Sequence, residues 1–144
     1  LSEALRSAGL GSTVLISQFL RGGVNQGPNG AINLCGRLEW LRPAIETCIP
    51  EHLQEEDLSL ERKYQEKAIK ELWIFCKKRL FEKKLDKIVL DEIGTAISLG
   101  FIEENDLISM INNRPSSTDI IITGPSIPLK VIELADQITQ LRCN

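Results

Sequence analysis

Ile88-Val89-Leu90-Asp91-Glu92 is the stretch on which the fold turns. Read with its neighbours, Asp86 to Glu92 is a short apolar run that ends in two acids. The run is continuous rather than alternating, as expected for a strand buried on both faces of a mainly parallel sheet. Acids at its end fall on the carboxyl edge of such a sheet, where ligands bind in open α/β folds. Two further runs have the same character: Thr13 to Ser17, ended by Gln18-Phe19, and Asp119 to Thr123, closed by Gly124-Pro125. Leu38 to Leu41 reads as another strand, and Ile138 to Arg142 as a last one.

Helical patterns lie between these runs. Leu60, Tyr64, Ala68, Leu72, Phe75 and Leu80 recur at threes and fours, which predicts a helix over Leu58 to Phe81. Leu1, Leu5 and Ala8 mark the back half of another, closed by Gly9 and Gly11. Ala96 to Leu99 predicts a short helix stopped by Gly100; Glu104 to Asn113 and Pro128 to Gln137 predict two more. Leu20 to Asn33 carries Gly22, Gly23, Gly27, Pro28 and Gly30 and reads as loop, and Pro43 and Pro50 bracket an irregular stretch. Strands alternating with helices predict one α/β domain over residues 1–144, a three-layer α/β/α arrangement around a mainly parallel sheet.

Composition narrows the function. The 144 residues are 42% hydrophobic and 26% charged, enough for one core in one domain. A formal net charge of −3 argues against a general nucleic-acid binder, which carries a basic surplus. No stretch approaches the roughly 20 apolar residues that span a bilayer, and Glu3 and Arg6 interrupt the first segment, unlike a signal peptide. The expectation is a cytoplasmic protein with no membrane partner. Cys35, Cys48, Cys76 and Cys143 have no C-x-x-C spacing and are expected to be reduced, without a zinc site.

Few residues offer chemistry. Asp91 and Glu92 supply the one or two carboxylates that Mg²⁺ takes alongside waters and phosphates, or they cap the next helix. Thr123-Gly124 sits at the same sheet edge, as a ligand contact or as a plain turn. The Arg21–Gly30 loop either lines a pocket or runs over the surface. His52, the only histidine, reads as a solvated loop residue, and Lys77, Lys78, Arg79, Lys83 and Lys84 as the solvated end of a helix. Trp40, Trp73, Phe75 and Phe81 read as core or interface rather than as a base-stacking platform.

Several motifs occur in order: Gln18-Phe19-Leu20-Arg21-Gly22 after a strand, Val89-Leu90-Asp91-Glu92, Asn113-Arg114-Pro115, Ile121-Ile122-Thr123-Gly124, and Glu133-Leu134-Ala135-Asp136 followed by Thr139 and Leu141-Arg142. The series, with Ala4-Leu5-Arg6, Gly9 and Gly11, resembles the P-loop corrinoid adenosyltransferases. That resemblance implies a P-loop NTPase (RecA-like) fold. It also implies transfer of the 5′-deoxyadenosyl group of ATP to a Co(I) corrinoid, in cobalamin biosynthesis or salvage. The nucleophile then belongs to the substrate, so the protein needs no Ser-His or Cys-His pair. The residues it implies are Asp91 and Glu92 for Mg²⁺, Gln18, Arg21, Thr123 and Gly124 for the nucleotide, and Trp40 on the corrinoid side. The implied partners are the nucleotide, the corrinoid, a reductase or flavoprotein as electron donor, and a second copy in a homodimer.

The chain departs from the family pattern in three places. The family's phosphate loop, of the G-x-x-x-x-G-K-[ST] type, is expected a few residues before Leu1, and nothing in the 144 residues replaces it. Leu38-Glu39-Trp40-Leu41-Arg42 stands where the family carries Gly-x-Gly-Phe-x-Trp, and Pro125 follows Thr-Gly where the family has Arg. The competing reading is therefore a catalytically degenerate relative that binds a nucleotide or corrinoid, or serves as an interaction protein. Another P-loop-fold NTPase is a third.

Overall fold

A computed structural model of the chain describes residues 2–23, 27–34, 37–45, 59–82 and 84–140. Five strands form one sheet in the order β2-β3-β1-β4-β5. They are β1 (Val14–Gln18), β2 (Ile32–Leu34), β3 (Leu38–Leu41), β4 (Lys87–Asp91) and β5 (Asp119–Ile122). All neighbours pair parallel except β2 with β3. The helices are α1 (Ser2–Gly9), α2 (Ser59–Glu82), α3 (Ile93–Ser98), α4 (Glu104–Asn112) and α5 (Leu129–Ile132).

Strand β1 is the centre, and all five of its residues are buried. Val14 and Ile16 join Leu38, Val89, Ala4 and Ala8 in a small core under α1. Leu15, Leu41, Ile88 and Leu90 point the other way, into a large core with Ile69, Leu72, Trp73 and Leu80 of α2 and residues of α3, α4 and α5. This is the expected three-layer α/β arrangement, with unequal layers. In β1 and β4, side chains from successive positions enter opposite cores, which is why these strands carry unbroken apolar runs.

Several boundaries and faces differ from the sequence reading. Leu20 to Asn33 contains a 3₁₀ turn (Pro28–Gly30) and the start of β2, an edge strand two of whose three residues are exposed. Being antiparallel and half-solvated, β2 needs no apolar run, so nothing in composition marks it. The last helix is only Leu129–Ile132, anchored by buried Val131; Glu133 to Gln140 is mostly exposed, and Ile138 to Gln140 is not strand. Leu141 to Asn144 lies outside the described residues.

On α2 the buried stripe is Ala68, Ile69, Leu72, Trp73, Cys76 and Leu80, whereas Leu60 and Tyr64 are 82% and 68% exposed. The basic end of α2 is not simply solvated. Arg79 is buried and ion-paired with Glu39 of β3, and Lys77 bonds Asp106 of α4 at 2.6 Å. Trp73 Nε1 donates to the same Asp106 carboxylate at 2.7 Å, tying α2 to α4. Cys76 is free and buried; Cys35, Cys48, Cys143, His52 and Lys83 lie outside the described residues.

Candidate functional site at the carboxyl edge of the sheet

The strand order creates a topological switch point. Beyond β1 the chain turns toward β2 and β3, on one side of the sheet; beyond β4 it turns toward β5, on the other. The carboxyl ends of β1 and β4 therefore flank the crevice in which open α/β sheets bind ligands. Gln18 and Asp91, the last residues of these strands, are register partners there. The ladder continues past them, with Phe19 N–H donating to the Asp91 carbonyl at 3.2 Å.

Side chains from four strand ends meet in one line on the α1 side of the sheet. Gln18 Nε2 donates to Asp91 Oδ2 at 2.8 Å, and Thr123 Oγ1 donates to Asp91 Oδ1 at 2.5 Å. Trp40 Nε1 and Arg42 Nε both donate to Gln18 Oε1, each at 3.0 Å. Arg42 also stacks on Trp40, its guanidinium carbon 5.1 Å from the ring centroid. Gln18 is 1% exposed, so its amide cannot turn to water for partners. Two donors on Oε1 fix which end is oxygen, and Nε2 must face Asp91.

Periodicity explains the convergence. Gln18 lies two residues after Ile16, Trp40 two after Leu38, and Asp91 two after Val89, all on the α1 face. That face turns polar at its carboxyl end, where the apolar packing stops.

The loops that follow are locked together. Glu92 sits just past β4 in the left-handed region, at φ 61°, and its side chain does not cap α3. The capping alternative for the acid pair therefore does not describe this structure. Gly124 has φ +120°, and a Cβ there would stand 2.9 Å from the Glu92 Cα. A Cβ on Gly94 would stand 2.5 Å from the Pro125 carbonyl oxygen. Only glycine admits this approach of the β4–α3 turn to the segment after β5.

Of the residues singled out from sequence, Gln18, Trp40, Asp91 and Thr123 belong to the line, and Glu92 and Gly124 touch one another beside it. Arg21 stands apart, exposed, beyond buried Phe19 and Leu20. The glycine-rich loop is pinned at its far end, where Gly27 N–H donates to the Arg42 carbonyl at 2.8 Å; residues 24–26 lie outside the described residues. Arg42 was missed by sequence reasoning. The available signal was a cation one residue past a strand, two beyond Trp40 on the same side.

Among the described residues, no three or more of His, Cys, Asp and Glu gather as a metal cage. Asp91 is half-buried and each of its oxygens accepts one bond, leaving lone pairs for a cation or its waters. That suits Mg²⁺, which uses few protein ligands. On the α2 side of the sheet, burial pushes the Cys76 thiol up to about 12, with neighbouring Ser17 acting the other way, so it is no nucleophile. A shallow cleft lined by Ala44, Tyr64, Lys67, Ala68 and Glu71 lies against α2 and involves none of the residues of the line.

The full length of the chain, residues 1–144, matches the family described as ATP:corrinoid adenosyltransferase BtuR/CobO/CobP. A corrinoid adenosyltransferase of Escherichia coli (strain K12) is 29% identical over 141 residues, covering 96% of this chain and 66% of the relative. The corrinoid adenosyltransferase CobA of Salmonella typhimurium is 30% identical over 139 residues, with the same coverage. An uncharacterized protein of Nostoc, all2391, is 25% identical over 151 residues, covering 99% of this chain and 39% of that protein. The chain thus spans just under two thirds of the length of the adenosyltransferases it matches. With a match over its full length, the chain belongs to the ATP:corrinoid adenosyltransferase family.

Proposed function

We propose that this protein moves the 5′-deoxyadenosyl group of ATP to a Co(I) corrinoid in cobalamin biosynthesis or salvage, using the carboxyl edge at β1 and β4 as its nucleotide site. The observation that carries this reading is the hydrogen-bonded line from Arg42 and Trp40 through Gln18 to Asp91 and Thr123, set at the switch point of the sheet. In the reaction the Co(I) electron pair forms the bond to C5′ of the ribose. The C5′–O bond breaks, and its pair leaves with triphosphate. The protein need supply no nucleophile and no proton, which fits a site of amide, hydroxyl, indole and carboxylate groups.

Asp91, with Glu92 beside it, is the residue to hold Mg²⁺, which when bound would neutralise charge on the leaving triphosphate. Gln18 and Thr123 keep the Asp91 carboxylate in one orientation, so no reorganisation is needed when ligand arrives. In this reading Gly124 and Glu92 shape the nucleotide side, Arg21 approaches the nucleotide from the loop after β1, and Trp40 offers a ring edge toward the corrinoid. A reductase or flavoprotein supplies the electron that makes Co(I).

The test is anaerobic. Full-length protein is mixed with a chemically reduced Co(I) corrinoid and Mg²⁺-ATP, and loss of the Co(I) band is followed. ATP-dependent formation of the adenosyl product supports the reading. No conversion, with an active family member run in parallel, replaces it with the non-catalytic binding relative.

A further inference from the structure

We propose that Arg42 is an oligophosphate-binding residue of this edge, presented to the ligand by Gln18 and Trp40. This rests on reading the edge as a nucleotide site. Arg42 is the first residue beyond β3, on the same edge as Asp91. Its Nε is tied to Gln18 Oε1 at 3.0 Å, and its plane is supported by the Trp40 ring at 5.1 Å. The Nε edge of the guanidinium is thereby fixed, with the group held over the Trp40 ring. Its Nη groups meet no acceptor among the described residues, and the side chain is partly exposed. A planar fork of N–H donors fits phosphate oxygens in pairs, and holding it in advance reduces the entropy lost on binding.

The contrast with other cations sharpens the point. Arg79 is paired with Glu39, Lys77 with Asp106, and Lys87 with Glu3. Each of these ties two elements together through opposite charges. Arg42 instead bonds a neutral amide oxygen, so its charge is held in place without being neutralised. The acid of the line, Asp91, is reached only through the other end of the same amide. Gln18 thus keeps a cation and a carboxylate apart at a fixed separation along the sheet edge. A Mg²⁺–oligophosphate carries the complementary pair: anionic oxygens for Arg42, and a cation for Asp91.

The experiment is calorimetric titration of the full-length protein, with Mg²⁺ present, using inorganic triphosphate, ATP and adenosine as separate probes. The Arg42→Gln variant is expected to bind triphosphate and ATP about tenfold more weakly, as for loss of a charge-assisted contact. Its adenosine affinity stays that of the parent, and the loss shrinks as salt is raised. Arg42→Lys, which keeps the charge without the fork, recovers part of it. Three outcomes overturn the proposal: no triphosphate binding by the parent, parent-like triphosphate binding by Arg42→Gln, or equal losses for adenosine and triphosphate. The Co(I) assay on the same samples separates the two readings. Arg42-dependent triphosphate binding without corrinoid conversion removes the adenosyltransferase reading and leaves Arg42 in place.

Discussion

Replacing Asp91 by Asn removes a charge and almost no volume, so it separates the carboxylate's place in the fold from its place in chemistry. The Gln18 amide is pinned by Trp40 and Arg42 on Oε1, and its Nε2 must go on donating toward residue 91. Asparagine satisfies it by presenting Oδ1 to Gln18 and Nδ2 to Thr123. The Thr123 hydroxyl, now a donor to Oδ1 of the acid, can rotate and accept. Both bonds survive in neutral form. A bond to a charged group is worth about 1.5–3 kcal/mol and a neutral one about 0.5–1.5, so the two together lose about 2–3 kcal/mol. Removing the half-buried charge returns part of that.

Asp91→Ala orphans the Gln18 N–H and the Thr123 hydroxyl instead, at about 1–3 kcal/mol each, and is expected to cost roughly twice as much. Urea unfolding at neutral pH measures both, compared at a common slope. If Asp91→Asn is as unstable as Asp91→Ala, the pinned-amide reasoning is wrong. On the chemical side, Asp91→Asn is expected to lower Mg²⁺-ATP-dependent adenosyl transfer by about a hundredfold or more, since it removes the proposed ligand of the cation. Unchanged turnover would remove Asp91 from the metal role.

Three other expectations follow from the same contacts. Gly94→Ala and Gly124→Ala each push a Cβ into backbone, at 2.5 Å from Pro125 O and 2.9 Å from Glu92 Cα, and should each lower stability by about 1–3 kcal/mol in thermal melts. Gly9→Ala, with nothing within 4 Å of its Cβ, should be neutral or stabilising, and a loss there of similar size would discredit the argument. Burial raises the Asp106 carboxyl, but hydrogen bonds from Lys77 and Trp73 and the Lys77 charge outweigh it and hold it below its ordinary value. Its contribution is therefore present above about pH 4 and lost as acid protonates it in the folded chain, so Asp106→Asn should flatten the acid limb of a stability–pH curve. Cys76, pushed up to about 12, is thiolate in only about 1 part in 10,000 at pH 8, so peptide-level mapping should find it unalkylated by iodoacetamide until urea unfolds the chain.

How much was legible in the sequence depended on burial. β1 and β4 were readable because burial on both faces leaves an unbroken apolar run, while β5 carries the run Ile120 to Ile122 although only partly buried, and β3 shows only Leu38 and Leu41 buried. Strand β2 was not, because an antiparallel edge strand with Ile32 44% exposed places few demands on composition. On α2, counting apolar residues at helical spacing placed Ala68, Leu72 and Leu80 correctly in the core stripe, wrongly added Leu60 and Tyr64, and missed Ile69, Trp73 and Cys76. Arg79 and Lys77 looked like solvated charge because their partners, Glu39 and Asp106, lie 40 and 29 residues away. The site divides the same way. Asp91 was singled out at a strand end and Gln18 through the family resemblance, whereas the line joining them, and Arg42 within it, exists only once β3 lies beside β1.

The edge of the sheet also concentrates unfavourable backbone. Glu92 and Ser126 are the two non-glycine residues with positive φ among those described, at 61° and 59°, and both lie within four residues of Asp91 or Thr123. Such conformations cost about 1–3 kcal/mol each and persist only where surrounding contacts leave no alternative. Here those contacts are the approach of Gly124 to Glu92 and of Gly94 to Pro125 and Ile127. The loops beyond β4 and β5 consequently hold one another, and the carboxylate between them is fixed by Gln18 and Thr123. An acid held this way cannot swing to follow a ligand. In the proposed nucleotide site, a cation arriving with phosphate would meet the same carboxylate geometry each time, which is the condition under which electrostatic stabilisation acts without reorganisation.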